Sequence, residues 1–122
     1  MTALLVTVVL VAGALGALAR YLVTRNPARS PWTVLIVNVA GSLIAGLAVG
    51  LTGAGVLPVE ARLALVTGFA GGLTTFSTLS VETVQLFLTN RWRSAVASMA
   101  ANLILGLTAS ALGWLIGLAL FG

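Results

Sequence analysis

Charge is what this sequence lacks most. Of its 122 residues six are basic and two acidic, so that 7% carry a formal charge, against about 25% in an ordinary soluble domain. So small a charged fraction cannot clothe a surface in water. Cysteine is absent, which excludes disulfides and thiolate metal sites. Histidine is absent too, removing the usual general base and the commonest metal ligand. There is no aspartate, and the only carboxylates are Glu60 and Glu82. Acid–base and metal-assisted chemistry therefore have almost no groups to work with, and the composition argues against an enzyme.

What is present is apolar. Hydrophobic residues make up 60% of the chain and the mean hydropathy is +1.17, the balance of an integral membrane protein. A pI near 11.7 does not point to nucleic acid, because the six arginines are scattered as membrane-flanking charges are. A spanning helix needs about 20 mainly apolar residues. Four such runs are predicted, at about residues 2–22, 32–51, 61–88 and 94–121, forming one all-α membrane domain over residues 1–122. No basic segment precedes the first run and no clear cleavage site follows it, so it reads as a retained span rather than a signal peptide. Trp32 opens the second run as an interfacial anchor, after a loop holding Pro27, Arg29 and Pro31. Each run is rich in small residues, which predicts association of subunits.

The connections differ in charge. Loops one and three carry Arg25, Arg29, Arg91 and Arg93, whereas the opposite side has Arg62 alone. The positive-inside rule puts loops one and three in the cytoplasm and both termini outside.

The third run holds the strongest functional signal, Gly68-Phe69-Ala70-Gly71-Gly72-Leu73-Thr74-Thr75-Phe76-Ser77-Thr78. Glycine costs about 1 kcal/mol relative to alanine in a helix, so an unbroken helix is disfavoured here. A break at membrane depth would free carbonyls that can coordinate a cation and N–H groups that favour an anion. Alternatively, Gly68, Gly71 and Gly72 serve only close helix packing. Asn38 and Ser42 share a face of the second run. The Asn38 amide must meet another helix, through a hydrogen bond, or a watery cavity. Arg20 either snorkels to the interface or attracts anions to the mouth of a pathway. Glu82 marks either the membrane surface or a polar track. Phe76 would ordinarily be packing, but its positive ring edge could contact a small anion.

Taken together, these segments resemble the Fluc (CrcB-type) fluoride channel family over nearly the whole chain. The resemblance is carried by Gly13-Ala14-Leu15-Gly16-Ala17-Leu18-Ala19-Arg20-Tyr21, Val37-Asn38-Val39-Ala40-Gly41-Ser42 and the Gly68–Thr78 run. It implies four transmembrane helices per subunit, the third broken at mid-membrane, and an antiparallel dimer with two pores exporting fluoride passively. It also implies residence in the plasma (inner) membrane of a bacterium or archaeon. By position, Asn38 and Phe76 line the pore, Ser77 and Thr78 form a hydroxyl track, Glu82 adjoins it and Arg20 is the first-span arginine. A structural Na⁺ at the dimer centre would be held by the carbonyls of Gly71 and Thr74. Two positions depart from the family pattern. Leu79 stands where a second pore phenylalanine is usual, and Asn102 aligns with a frequent polar-track tyrosine.

The arginine bias favours one orientation, whereas a self-pairing antiparallel subunit must insert both ways. The partner is accordingly either a second copy or a paired related subunit of opposite orientation. Two rivals are a proton-coupled dual-topology drug exporter and a non-conducting assembly subunit. The exporter needs a membrane carboxylate, and Glu82 is the sole candidate.

Overall fold

A computed structural model describes residues 2–122. Among these the chain is all-helical, with four helical segments long and apolar enough to cross a membrane. Helix α1 (Ala3–Thr24) starts where the Thr2 hydroxyl accepts from the Leu5 N–H. Loop one contains a 3₁₀ turn, Pro27–Arg29, held by the Asn26 side chain accepting from Ala28 N–H. Helix α2 covers Trp32–Gly53. Both helices run two residues past the hydropathy-based limits. Their terminal hydroxyls satisfy themselves on the preceding turn, Thr24 on the Arg20 carbonyl and Thr52 on that of Ala48.

The third span, Val59–Leu88, is not one regular helix. It comprises α3 (Val59–Leu63), a π-helical stretch (Ala64–Ala70), a short α4 (Gly71–Leu73) and α5 (Ser77–Leu88). Between the last two, Thr74 is extended (φ −82°, ψ 156°). Helix α5 closes in a Schellman motif. Asn90 takes the left-handed conformation (φ 59°), its N–H donates to Phe87 and the Arg91 N–H donates to Leu86. That motif turns the chain within Thr89–Arg91, so α6 (Trp92–Phe121) begins two residues earlier than the hydropathy run indicates.

Packing divides the subunit into two pairs: α2 lies along α6, and α1 lies against the π-helical stretch and α4. Both pairs approach through small residues. A Cβ on Gly72 would strike the Gly13 carbonyl, and one on Gly46 would lie 2.8 Å from Ser110 Cα. Lipid offers no hydrophobic drive between helices, so such close backbone contact supplies the attraction. Most large apolar side chains on α1 and α6 are exposed, as suits a hydrocarbon solvent.

Candidate functional site

Leaving the helix at Thr74 strands main-chain groups that the helix would otherwise have paired. In hydrocarbon each would cost several kcal/mol. Side chains from two other helices meet three of them. The Thr75 N–H donates to Asn38 Oδ1 at 2.8 Å, and the Thr75 carbonyl accepts from Asn38 Nδ2 at 3.1 Å. From α1, the Arg20 guanidinium reaches across and donates to the Thr74 carbonyl at 3.0 Å. The Thr75 hydroxyl accepts from the Thr78 N–H at 3.2 Å, capping the first turn of α5. It also lies 3.1 Å from the Thr78 hydroxyl and 3.3 Å from that of Ser77. The Thr74 hydroxyl donates to Ala70, which fixes its rotamer and turns its methyl into the notch left by Gly41.

These bonds bring the sequence-selected residues of three helices to one place. Asn38, Ser42, Thr74, Phe76 and Leu79 line an open groove of about 880 Å³ that Asn102 on α6 completes. Thr75 is buried at its base, while Phe76 is 81% exposed at its margin and Ser77 and Thr78 are exposed beside it. Arg20 is turned inward onto a carbonyl, not outward along the helix. The glycines separate into two kinds. Gly68 and Gly72 press against α1, as close packing requires. Gly71 is exposed, and a Cβ there would make only an ordinary 3.5 Å contact with the carbonyl of Val66 in its own span.

Glu82 does not line the groove and is tied to loop one. The Ser30 hydroxyl donates to its Oε1, while its buried Oε2 has no partner among the described residues. No cluster of three or more His, Cys, Asp or Glu exists among those residues. Sequence reasoning missed two contributors: Thr75 as the clamped residue, and Asn102 as the partner of Asn38 at 2.8 Å. An amide within an apolar span was the available signal for Asn102, since it too must find a partner.

The sequence has relatives among known proteins. Residues 7–114 match the family model described as CrcB-like protein, Camphor Resistance (CrcB). The chain is 42% identical to a protein of Leifsonia xyli subsp. xyli named Fluoride-specific ion channel FluC 1, over 98% of this chain and 91% of that one. It is 42% identical to a Fluoride-specific ion channel FluC of Thermus thermophilus, over 90% of this chain and 92% of the relative. The FluC of Deinococcus radiodurans is 40% identical over 71% of this chain and 69% of its own length.

Proposed function

The chain belongs to the CrcB family, and from that membership and the Thr74–Phe76 geometry we propose that it is a passive fluoride channel. It is a multi-pass membrane protein, and its relatives of matching length are named fluoride-specific ion channels. In this reading fluoride leaves the cytoplasm through the plasma membrane along the groove.

The observation that carries the mechanism is how the non-helical segment is satisfied: by a neutral amide and a guanidinium, next to open space. Fluoride is small and strongly hydrated, so a pathway must replace its water with donors. The Asn38 amide, the Ser42, Ser77 and Thr78 hydroxyls and the ring edge of Phe76 are such donors, and none carries a full charge that would trap the ion. Arg20 adds long-range attraction while its hydrogen bond to Thr74 keeps it off the path. Glu82, fixed by Ser30, adjoins the hydroxyl track at the loop-one end.

The working unit is an antiparallel dimer, formed with a second copy or with a paired related subunit. One subunit leaves Phe76 and the groove uncovered, and a second subunit would enclose both. The third span acts as a helix broken at mid-membrane, and its seam with the partner is the place for Na⁺. Gly71 and Thr74 carbonyls would hold that ion. Their neutral hard oxygens suit sodium, and no packing demand within the subunit explains why Gly71 lacks a side chain. Bound there, Na⁺ would supply a fixed positive charge at the centre of the assembly.

Purified protein in liposomes tests the reading. Fluoride-loaded vesicles should release fluoride to an electrode at a rate indifferent to a pH gradient, with chloride retained. Proton exchange driven by an organic cation would identify an exporter instead, and vesicles tight to fluoride an assembly subunit. Reporter tags on the C-terminus distinguish the partners: equal labelling from both faces indicates self-pairing, and one face a paired subunit.

A further inference from the structure

The amide of Asn38 has no hydrogen to spare. The Thr75 N–H can only donate, so the Asn38 atom 2.8 Å from it must be the oxygen. Nδ2 is therefore the atom beside the Thr75 carbonyl and Asn102, and its two hydrogens go to those two acceptors. The orientation of Asn102 is settled in the same way. Its nitrogen lies 2.8 Å from the Ser98 carbonyl, which can only accept, so its oxygen is the atom facing Asn38. Donation from Asn38 through Asn102 to the Ser98 carbonyl thus runs one way, and every amide hydrogen of Asn38 is in use.

The two Asn38 bonds are not equivalent. One belongs to a reciprocal pair with the Thr75 main chain, whose loss would strand backbone groups within the membrane. The other is a side-chain contact at the wall of the open groove, which Asn38 and Asn102 both line. An anion arriving there cannot take the first hydrogen without undoing the bend. It can take the second by displacing the Asn102 oxygen.

We infer that Asn102 is a built-in competitor of the anion: its side-chain oxygen occupies the one Asn38 hydrogen that fluoride can receive, and the ion binds by replacing it. The inference rests on fluoride using this groove. It assigns a role to a position where the sequence departs from the family pattern. Conduction requires binding weak enough to reverse, and an acceptor that returns as the ion leaves lowers the cost of departure. The displaced bond is an ordinary neutral hydrogen bond, so its removal should change apparent fluoride affinity on the order of threefold to tenfold.

The test is a fluoride titration of the ¹⁵N-labelled protein in detergent, following side-chain amide signals with sodium chloride as control, paired with liposome efflux. In the wild type the Asn38 and Asn102 signals should move together with one half-saturation. Asn102→Leu leaves both Thr75 bonds to Asn38 in place and removes the competitor. It should lower the half-saturation for binding and flux by about threefold to tenfold, with a lower maximal rate. Asn102→Gln keeps an amide oxygen acceptor and adds no charge, so its half-saturation should stay closer to the wild-type value than that of Asn102→Leu. A merely supporting role would lower the rate of Asn102→Leu without lowering its half-saturation below that of the wild type and Asn102→Gln. Fluoride that moves the Asn38 signal with the same half-saturation in wild type and Asn102→Leu overturns the competitor while leaving the pathway standing. Wild-type signals indifferent to fluoride overturn both, because the ion then never reaches this amide.

Discussion

Two parts of the subunit meet the same constraint, that no backbone polar group can be left bare in hydrocarbon, in different ways. The α2–α6 pair meets it with regular helices whose bonds are internal, so side chains are free to be small and the helices touch backbone to backbone at Gly46 and Gly113. The third span gives up regularity twice, in its π-helical stretch and at Thr74–Phe76, and there the main chain depends on Asn38 and Arg20. Rigidity in the first region comes from absent side chains, and in the second from particular ones. The second is where chemistry can be placed, since donors and acceptors already gather there.

The difference predicts where bulk is lethal and where it is harmless. A Cβ on Gly46 meets the Ser110 backbone, which cannot swing aside. Gly46→Val should therefore overpack the pair by about 1–3 kcal/mol or more, a large share of a typical total stability of about 5–15 kcal/mol. Loss of the monodisperse species on size-exclusion chromatography is the expected result. Gly71→Ala in the third span should leave subunit melting unchanged, because its Cβ makes only an ordinary contact. A changed sodium dependence of dimer lifetime in Gly71→Ala would place its effect at the seam with the partner.

Next in size is the clamp. Asn38→Leu preserves shape and removes all three bonds the amide makes to Thr75 and Asn102. Two backbone groups are then left unpaired, at about 1–3 kcal/mol each. Fluoride efflux should fall more than tenfold, with a clear drop in melting temperature. A variant that melts early yet conducts normally would confine Asn38 to holding the bend.

Arg20 gives a smaller effect, because it supports one carbonyl. A hydrogen bond from a charged group is worth about 1.5–3 kcal/mol, so Arg20→Met should lower stability within that range and reduce flux. Arg20→Lys should recover part of both, since an ammonium can still donate but lacks the planar fork. Unchanged melting in Arg20→Met would mean that its side chain leaves Thr74 for the interface.

Much of this arrangement could be read before the structure. Hydropathy runs locate the four spans because lipid imposes length and apolarity on each helix separately. The Gly68–Thr78 run stands out as poor helix for the same local reasons. What could not be read is pairing at a distance. Arg20 meets Thr74 across 54 positions and Asn38 meets Asn102 across 64, and no local propensity encodes either contact. The glycines show the same limit: Gly71 and Gly72 are chain neighbours, yet one faces outward and the other abuts α1, a matter of helix rotation within the fold. Asn102 was visible as a departure from a family pattern, but its meaning depended on knowing what it touches.

Ser98 supplies the finest test of the contrast. It lies in α6, on the regular side of the molecule, and is 1% exposed, with a hydroxyl that finds no partner among the described residues. Its carbonyl has a use, since Asn102 donates to it. Its hydroxyl has none among the described residues. If bonding in the regular pair is complete without side chains, Ser98→Ala removes only an unsatisfied polar atom. It should then leave melting unchanged or raise it, by no more than about 1 kcal/mol in stability. Because Asn102 bonds to the Ser98 main chain, fluoride half-saturation should be unaffected. A fall in stability, measured by thermal unfolding of the detergent-solubilised protein, would mean that this buried hydroxyl holds the helices together inside the subunit, through an ordered water. The regular half of the subunit would then also depend on particular side chains, and the division between the two regions would fail.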